Sequence, residues 1–242
     1  MAFSVLDFSR FRGQVIWLRL CVAHCLAGCW ALINIVEYKM KICLFWVMFI
    51  SGAIAMVGDF VVPSVIARSY PGYSLLRDTI STLGTNNSPV RAKTTMWLII
   101  LGVFFLVFAL GQGIQFHSLT WRHSLYLFGI VMFGLGACII AGIFPEDAPE
   151  MKETVSGKLH GIGAGVGSIL LLLSPLWATG IKELVQVRVM NALGFAGALV
   201  AFALFVISGK SGKMVGLWQR LYLAVIYIII LANGFVVLNS AP

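Results

Sequence analysis

The sequence predicts an all-α fold, a polytopic transmembrane bundle of six core helices, and three observations carry that reading. Six apolar runs each reach the ~20 residues needed to cross hydrocarbon. The 242 residues are 60% hydrophobic and 11% charged, with a mean hydropathy of +0.97. The unusual polar sequences are confined to alternate loops between the runs. In lipid only helices satisfy their own backbone, so the runs are read as helices, and a soluble globular class is excluded.

The net charge of +8 does not indicate nucleic acid. The 17 Lys and Arg sit mostly in short loops and at helix ends, with no basic stripe of interleaved aromatics. Membrane lipids are the expected partners. Cys21, Cys25, Cys29, Cys43 and Cys138 all fall within apolar runs, where a thiol serves as a small core residue. Neither Cys-x-x-Cys nor paired His spacing occurs, so no metal and no cofactor are expected.

Residues 1–39 form a segment separate from the transmembrane domain at 40–242. The run at 15–36 is long enough to span, yet carries Arg19 and His24. It reads as an extra N-terminal transmembrane helix, as a signal segment cut near Leu26-Ala-Gly-Cys29, or as sequence upstream of a start at Met40. Cys21, Cys25 and Cys29 share one face of that run, which packing explains.

The core spans fall at 42–66, 94–116, 123–144, 158–179, 189–208 and 216–238. The first carries Asp59, an ionisable residue in hydrocarbon and therefore a functional candidate. Ser88-Pro89 supplies a cap and a helix-starting proline to the second. Phe144-Pro145 stops the third, and Gly209 is expected to stop the fifth. Small residues mark close helix contacts in spans three to five: Gly129, Gly134 and Ala137; Gly161, Gly165 and Ser168, flanked by Gly163 and Gly167; Gly194, Gly197 and Ala201. These spans are expected to be the packed centre, and their glycine faces also offer contacts for a homo-oligomer.

Loops one, three and five share one membrane face, here called side A. They hold Arg68, Arg77, Arg91, Lys93, Lys152, Lys158, Lys210 and Lys213, against Lys39, Lys41, Arg122, Lys182 and Arg188 on the other face. That excess leans side A toward the cytoplasm by a thin margin. In the first loop, Leu76, Ile80 and Leu83 make an apolar stripe with Arg77, Asp78, Ser81 and Thr82 on other faces. The pattern predicts a short amphipathic helix from Ser74 to Gly84, acting as an interfacial lid or aiming Arg77 and Asp78 over a polar pocket. Phe144-Pro-Glu-Asp147 holds carboxylates beside the start of the fourth span, where His160 lies, and Arg220 begins the sixth. Arg220 is a candidate partner for Asp59 or Asp147. A Ser81–His160–Asp147 triad is a weak alternative.

These segments, Tyr70–Gly84 with Ser88-Pro89, Phe144–Asp147 with His160, and Gly216-Leu-Trp-Gln-Arg220, together resemble a prokaryotic family of six-helix membrane proteins known as a domain of unknown function. The resemblance covers residues 42–238 and implies a prokaryotic cytoplasmic membrane. Ile80-Ser-Thr-Leu-Gly84 is also similar to the Ile-Ser-Asp-x-Gly loop of the Frag/DRAM/Sfk membrane proteins, some of which are linked to lipid handling. Thr82 stands where that pattern has Asp.

The resulting expectation is binding or handling of a lipid headgroup, without a committed catalytic role. Arg77 and Arg220 would hold the headgroup, and Asp59, Asp78, Ser81, Asp147 and His160 would complete the pocket. Three alternatives stand beside it: a membrane-embedded lipid hydrolase with Asp147 or His160 as base, a small-solute or ion transporter using Asp59, and a membrane scaffold.

Overall fold

Each apolar run becomes one helix, and the ends are set by which residue can no longer give or receive an i→i−4 hydrogen bond. The computed structural model describes residues 39–116, 118–148 and 151–240. The 15–36 run and its cysteine face lie outside the described residues. The helices are α1 (Lys39–Ala67), α2 (Arg91–Gln115), α3 (Trp121–Ile143), α4 (Val155–Ala178), α5 (Arg188–Ser211) and α6 (Val215–Asn239). All six are long and apolar enough to cross a membrane, as a multi-pass integral membrane protein requires. Trp46–Pro242 forms one compact unit, and the described residues contain no strand.

Two helix ends differ from the sequence expectation. Ser88 does not cap α2 directly. Its hydroxyl donates to Leu83 O at 2.7 Å and accepts the Val90 N–H at 3.2 Å, tying the preceding loop to the helix start. α5 runs past Gly209 and stops at Gly212, whose φ of +65° favours glycine. A glycine inside a helix weakens it, but only the left-handed position ends it.

The helices meet closely where glycine removes the side chain. A Cβ on Gly136 would stand 2.6 Å from Gly163 O, and one on Gly163 would stand 2.7 Å from Gly136 O. Gly102 against Gly134 O and Gly167 against Met132 O extend the same intimacy across α2, α3 and α4. The packed centre is therefore α2, α3, α4 and α6, which corrects the expectation of spans three to five. Half of the most apolar stretch of α6 is buried, against 17% for α5. The register on α4 is also corrected: among the described residues, Gly163 and Gly167 make the contacts, whereas Gly161 and Gly165 have nothing within 4 Å of a built Cβ.

A polar layer sits toward the opposite face. Asn191 and Asn233 exchange amide hydrogen bonds at 2.8 and 2.9 Å, and Tyr126 donates to Gln112 Oε1 at 2.9 Å. His123 accepts the Thr120 N–H on Nδ1, so its Nε2–H donates to Glu183 at 3.3 Å. Such pairs hold helices in register most firmly where both members are buried, as Asn191 and Asn233 are.

Candidate functional site

Proline 145 sets up the site. It lacks the N–H that would bond Ala141 O one turn back, leaving that carbonyl orphaned at the end of α3. His160, in the second turn of α4, fills the gap: Nδ1 lies 3.0 Å from Ala141 O and 3.0 Å from Phe144 O. Both partners are acceptors, so Nδ1 carries the proton. In the neutral ring Nε2 is then a bare acceptor, and it is buried with no partner among the described residues.

His160 also lines a cavity of about 60 Å³, room for a few waters or one small polar head. Asp59 contributes from α1, Ser81 and Ile80 from the loop, Ser168 from α4, and Gln219 and Tyr222 from α6. Asp59 is 3% exposed and accepts the Tyr227 hydroxyl on Oδ2 at 2.8 Å. The Trp97 indole N–H is buried beside it. Tyr222 and Ser168 hydroxyls are 3.3 Å apart. Phe133, Ala137 and Cys138 face the cavity from a π-helical stretch, Phe133–Ile140, which widens α3 at this depth. No Lys or Arg lines the cavity, and no cluster of three metal-ligating side chains occurs among the described residues.

The roof is the loop from Tyr70 to Gly84, held by the first turns of α6. Gly216 has no Cβ, so the Asp78 and Leu75 carbonyls approach its backbone. The Gly216 and Leu217 N–H groups bond Arg77 O and Leu76 O at 3.4 and 3.0 Å, satisfying donors that a helix start leaves open. Gln219 Oε1 takes the Ile80 N–H at 2.7 Å. Arg220 donates to Leu75 O at 2.7 Å, to Asp78 O and Gly216 O at 3.0 Å, and to the Tyr73 hydroxyl at 2.7 Å. Burial pushes the Tyr73 hydroxyl above its ordinary value, which keeps it neutral and donating to Thr79 O at 2.8 Å.

The expected amphipathic helix is two separate turns. Ser74 O accepts from Arg77 and Asp78 N–H, and a 3-10 turn follows at Ser81–Gly84. Between them Thr79 captures the Thr82 N–H on its side chain and Gln219 captures that of Ile80, so an α-helix cannot propagate. Ile80 and Leu83 are buried while Leu76 stays exposed, which breaks the predicted stripe.

Asp147 joins two loops. It accepts the Thr154 N–H at 2.7 Å and hydroxyl at 2.8 Å, and the Asn86 amide at 3.1 Å. The Thr154 backbone and side-chain bonds hold its carboxyl below the usual carboxylate range. A depressed folded pKa contributes stability above the unfolded value of about 3.9, and that stability fades as pH falls through the folded value. Asp147→Asn is therefore expected to melt below the parent at pH 7, with the gap closing as pH drops below 4. A constant gap across that range in a thermal-shift titration would overturn this.

Of the seven residues expected to form a pocket, the cavity gathers Asp59, Ser81 and His160. Arg220 pairs with neither Asp59 nor Asp147 but clamps the roof. Arg77 is exposed, and its guanidinium donates to Gly72 O at 3.5 Å. Asp78 takes the Ser74 N–H at 2.6 Å. The triad is not assembled, because His160 Nδ1 faces carbonyls and Ser81 Oγ bonds Thr79. The sequence reading missed Ser168, Gln219, Tyr222 and Tyr227; a polar residue every three to five positions along an apolar helix, as at 219, 222 and 227, was the available signal.

The chain belongs to the family described as protein of unknown function (DUF998), whose pattern matches residues 49–236. No curated protein and no solved structure matches it.

Proposed function

We propose that this membrane protein binds the small hydrogen-bond-donating head of a lipid, an amine or hydroxyl, between Asp59 and His160. The observation that carries the reading is that His160, whose buried Nε2 has no partner among the described residues, lines one cavity together with the Asp59 carboxyl. Two acceptors without a lysine or arginine favour a donor over a phosphate, which inverts the charge expected from Arg77 and Arg220. The cavity lies toward the side-A end of the spanning helices, beneath the loop that roofs it, which supports a ligand drawn from the membrane surface. The likeness of the Ile80–Gly84 loop to Frag/DRAM/Sfk proteins leans the same way.

The test is native mass spectrometry with lipid identification on gently purified protein, beside Asp59→Asn and His160→Gln. The parent should retain an amine- or hydroxyl-headed lipid, and each variant should lose it at least tenfold. Equal retention in all three, or selective retention of an anionic head, sinks the proposal.

One observation favours a second reading, membrane-embedded hydrolysis. An imidazole anchored through Nδ1–H with Nε2 free is oriented as a general base for water or a hydroxyl. In that case His160→Gln would keep the lipid while abolishing its turnover.

A further inference from the structure

We infer that the head held in this cavity is a neutral pair of hydroxyls of the glycerol type, and that Gln219 and Ser168 select it over an ammonium. This rests on the lipid-head reading above and narrows its amine or hydroxyl to the hydroxyl. The polar side chains lining the cavity are Asp59, Ser81, His160, Ser168, Gln219 and Tyr222. Asp59 already accepts the Tyr227 hydroxyl, and His160, with its proton on Nδ1, can only accept through Nε2. The other four decide what else an occupant must offer.

Gln219 has one end committed. Only its Oε1 can take the Ile80 N–H, at 2.7 Å, so that bond fixes the amide orientation and leaves two N–H groups on Nε2. Neither has a hydrogen-bond partner among the described residues. Ser168 is the second donor. A serine inside a helix commonly turns its hydroxyl back to the carbonyl four residues earlier. Ser64 does so to Phe60 O at 2.6 Å, and Ser174 to Leu170 O at 3.2 Å. Ser168 makes no such bond among the described residues; it accepts the Tyr222 hydroxyl at 3.3 Å, and its own O–H stays uncommitted. Ser81 and Tyr222 add no further donor, since Ser81 is paired with Thr79 at 3.0 Å and Tyr222 donates to Ser168.

The lining therefore offers acceptors from α1 and α4, and donors from α4 and α6. An ammonium only donates, so it would satisfy Asp59 and His160 and leave the Gln219 and Ser168 donors unmet beneath the roof. A hydroxyl donates once and accepts through its lone pairs, so two adjacent hydroxyls meet both sets. Polar groups arranged for a hydroxyl discriminate strongly against an analogue that leaves them unpaired.

The test is a competition. The purified protein is given equal amounts of 1-oleoylglycerol and oleylamine, and native mass spectrometry reads the ratio of the two bound. The ratio is internal to each sample, so a partial loss of folded protein in a variant cancels. The parent should favour oleoylglycerol by about tenfold, the discrimination expected of one unmet buried donor. Gln219→Glu keeps an oxygen for the Ile80 N–H but removes both donors, and should turn the preference toward oleylamine. Ser168→Ala removes the other donor without touching the roof and should weaken the preference for oleoylglycerol. A parent that binds both equally, or favours oleylamine, overturns the selection and leaves the amine-or-hydroxyl head standing. A parent that binds neither overturns both. An unchanged ratio in Gln219→Glu or in Ser168→Ala overturns the role given to that residue.

Discussion

Arg220→Ala is expected to free the roof of the cavity and to lower the melting temperature more than any other single change at side A. The guanidinium holds two loop carbonyls, the Gly216 carbonyl and the Tyr73 hydroxyl at 2.7 to 3.0 Å. Removal leaves these acceptors to find water at a membrane surface where the loop lies against α6. Hydrogen bonds to a charged group contribute about 1.5–3 kcal/mol each but share one side chain, so about 3 kcal/mol is a fair total. For a chain of this size that corresponds to a fall of roughly 6–12 °C. Arg220→Lys should recover less than half of it, because an ammonium has no planar fork to reach separated acceptors. Proteolysis at residues 74–80 should accelerate in the same order, alanine before lysine before parent. Full rescue by lysine would mean that the charge and not the fork is what matters, and melting unchanged in Arg220→Ala would mean that the clamp contributes nothing to stability.

This assignment shows where the sequence was legible. The Gly216-Leu-Trp-Gln-Arg220 string stood out as a unit, but its partners are Leu75, Asp78 and Ile80, some 140 residues earlier, and no local pattern points to them. Arginine near a membrane face invites an anion, and here backbone carbonyls were the anion's substitute. The spans themselves were readable within a few residues, since hydrocarbon thickness and backbone self-sufficiency leave little choice.

Asp59 was readable for the same reason, as a cost that a spanning helix accepts only for a purpose or a partner. The need for a donor at the end of α3 was also implicit in the sequence, though not that His160 supplies it. Pro145 removes a donor four residues after Ala141, and something nearby had to replace it. Loop conformation was not readable, because Thr79 and Gln219 divert the backbone donors that would have continued a helix. Nor was the glycine register on α4, where Gly161/Gly165 and Gly163/Gly167 are equally good small-xxx-small pairs until the phase of the helix is fixed.

That phase yields the second large effect. Gly136→Ala or Gly163→Ala should each cost at least 3 kcal/mol, since the intruding Cβ would meet backbone that no rotamer can move. The two sites are reciprocal: each built Cβ stands 2.6 to 2.7 Å from the other glycine's carbonyl oxygen. One separation of α3 from α4 therefore relieves both clashes. The double variant should cost clearly less than the sum, a coupling of 1 kcal/mol or more between contacting residues. Gly161→Ala, one strip round the same helix, should be neutral or stabilising by up to about 1 kcal/mol, because alanine is the better helix former and nothing opposes it. Since α3 carries the carbonyls that orient His160, the Gly163→Ala variant should also lose retained lipid, whereas Gly161→Ala should not. Additive losses at positions 136 and 163 would show that α3 and α4 do not meet there, and would remove the physical basis for His160 reaching the α3 carbonyls beside the cavity.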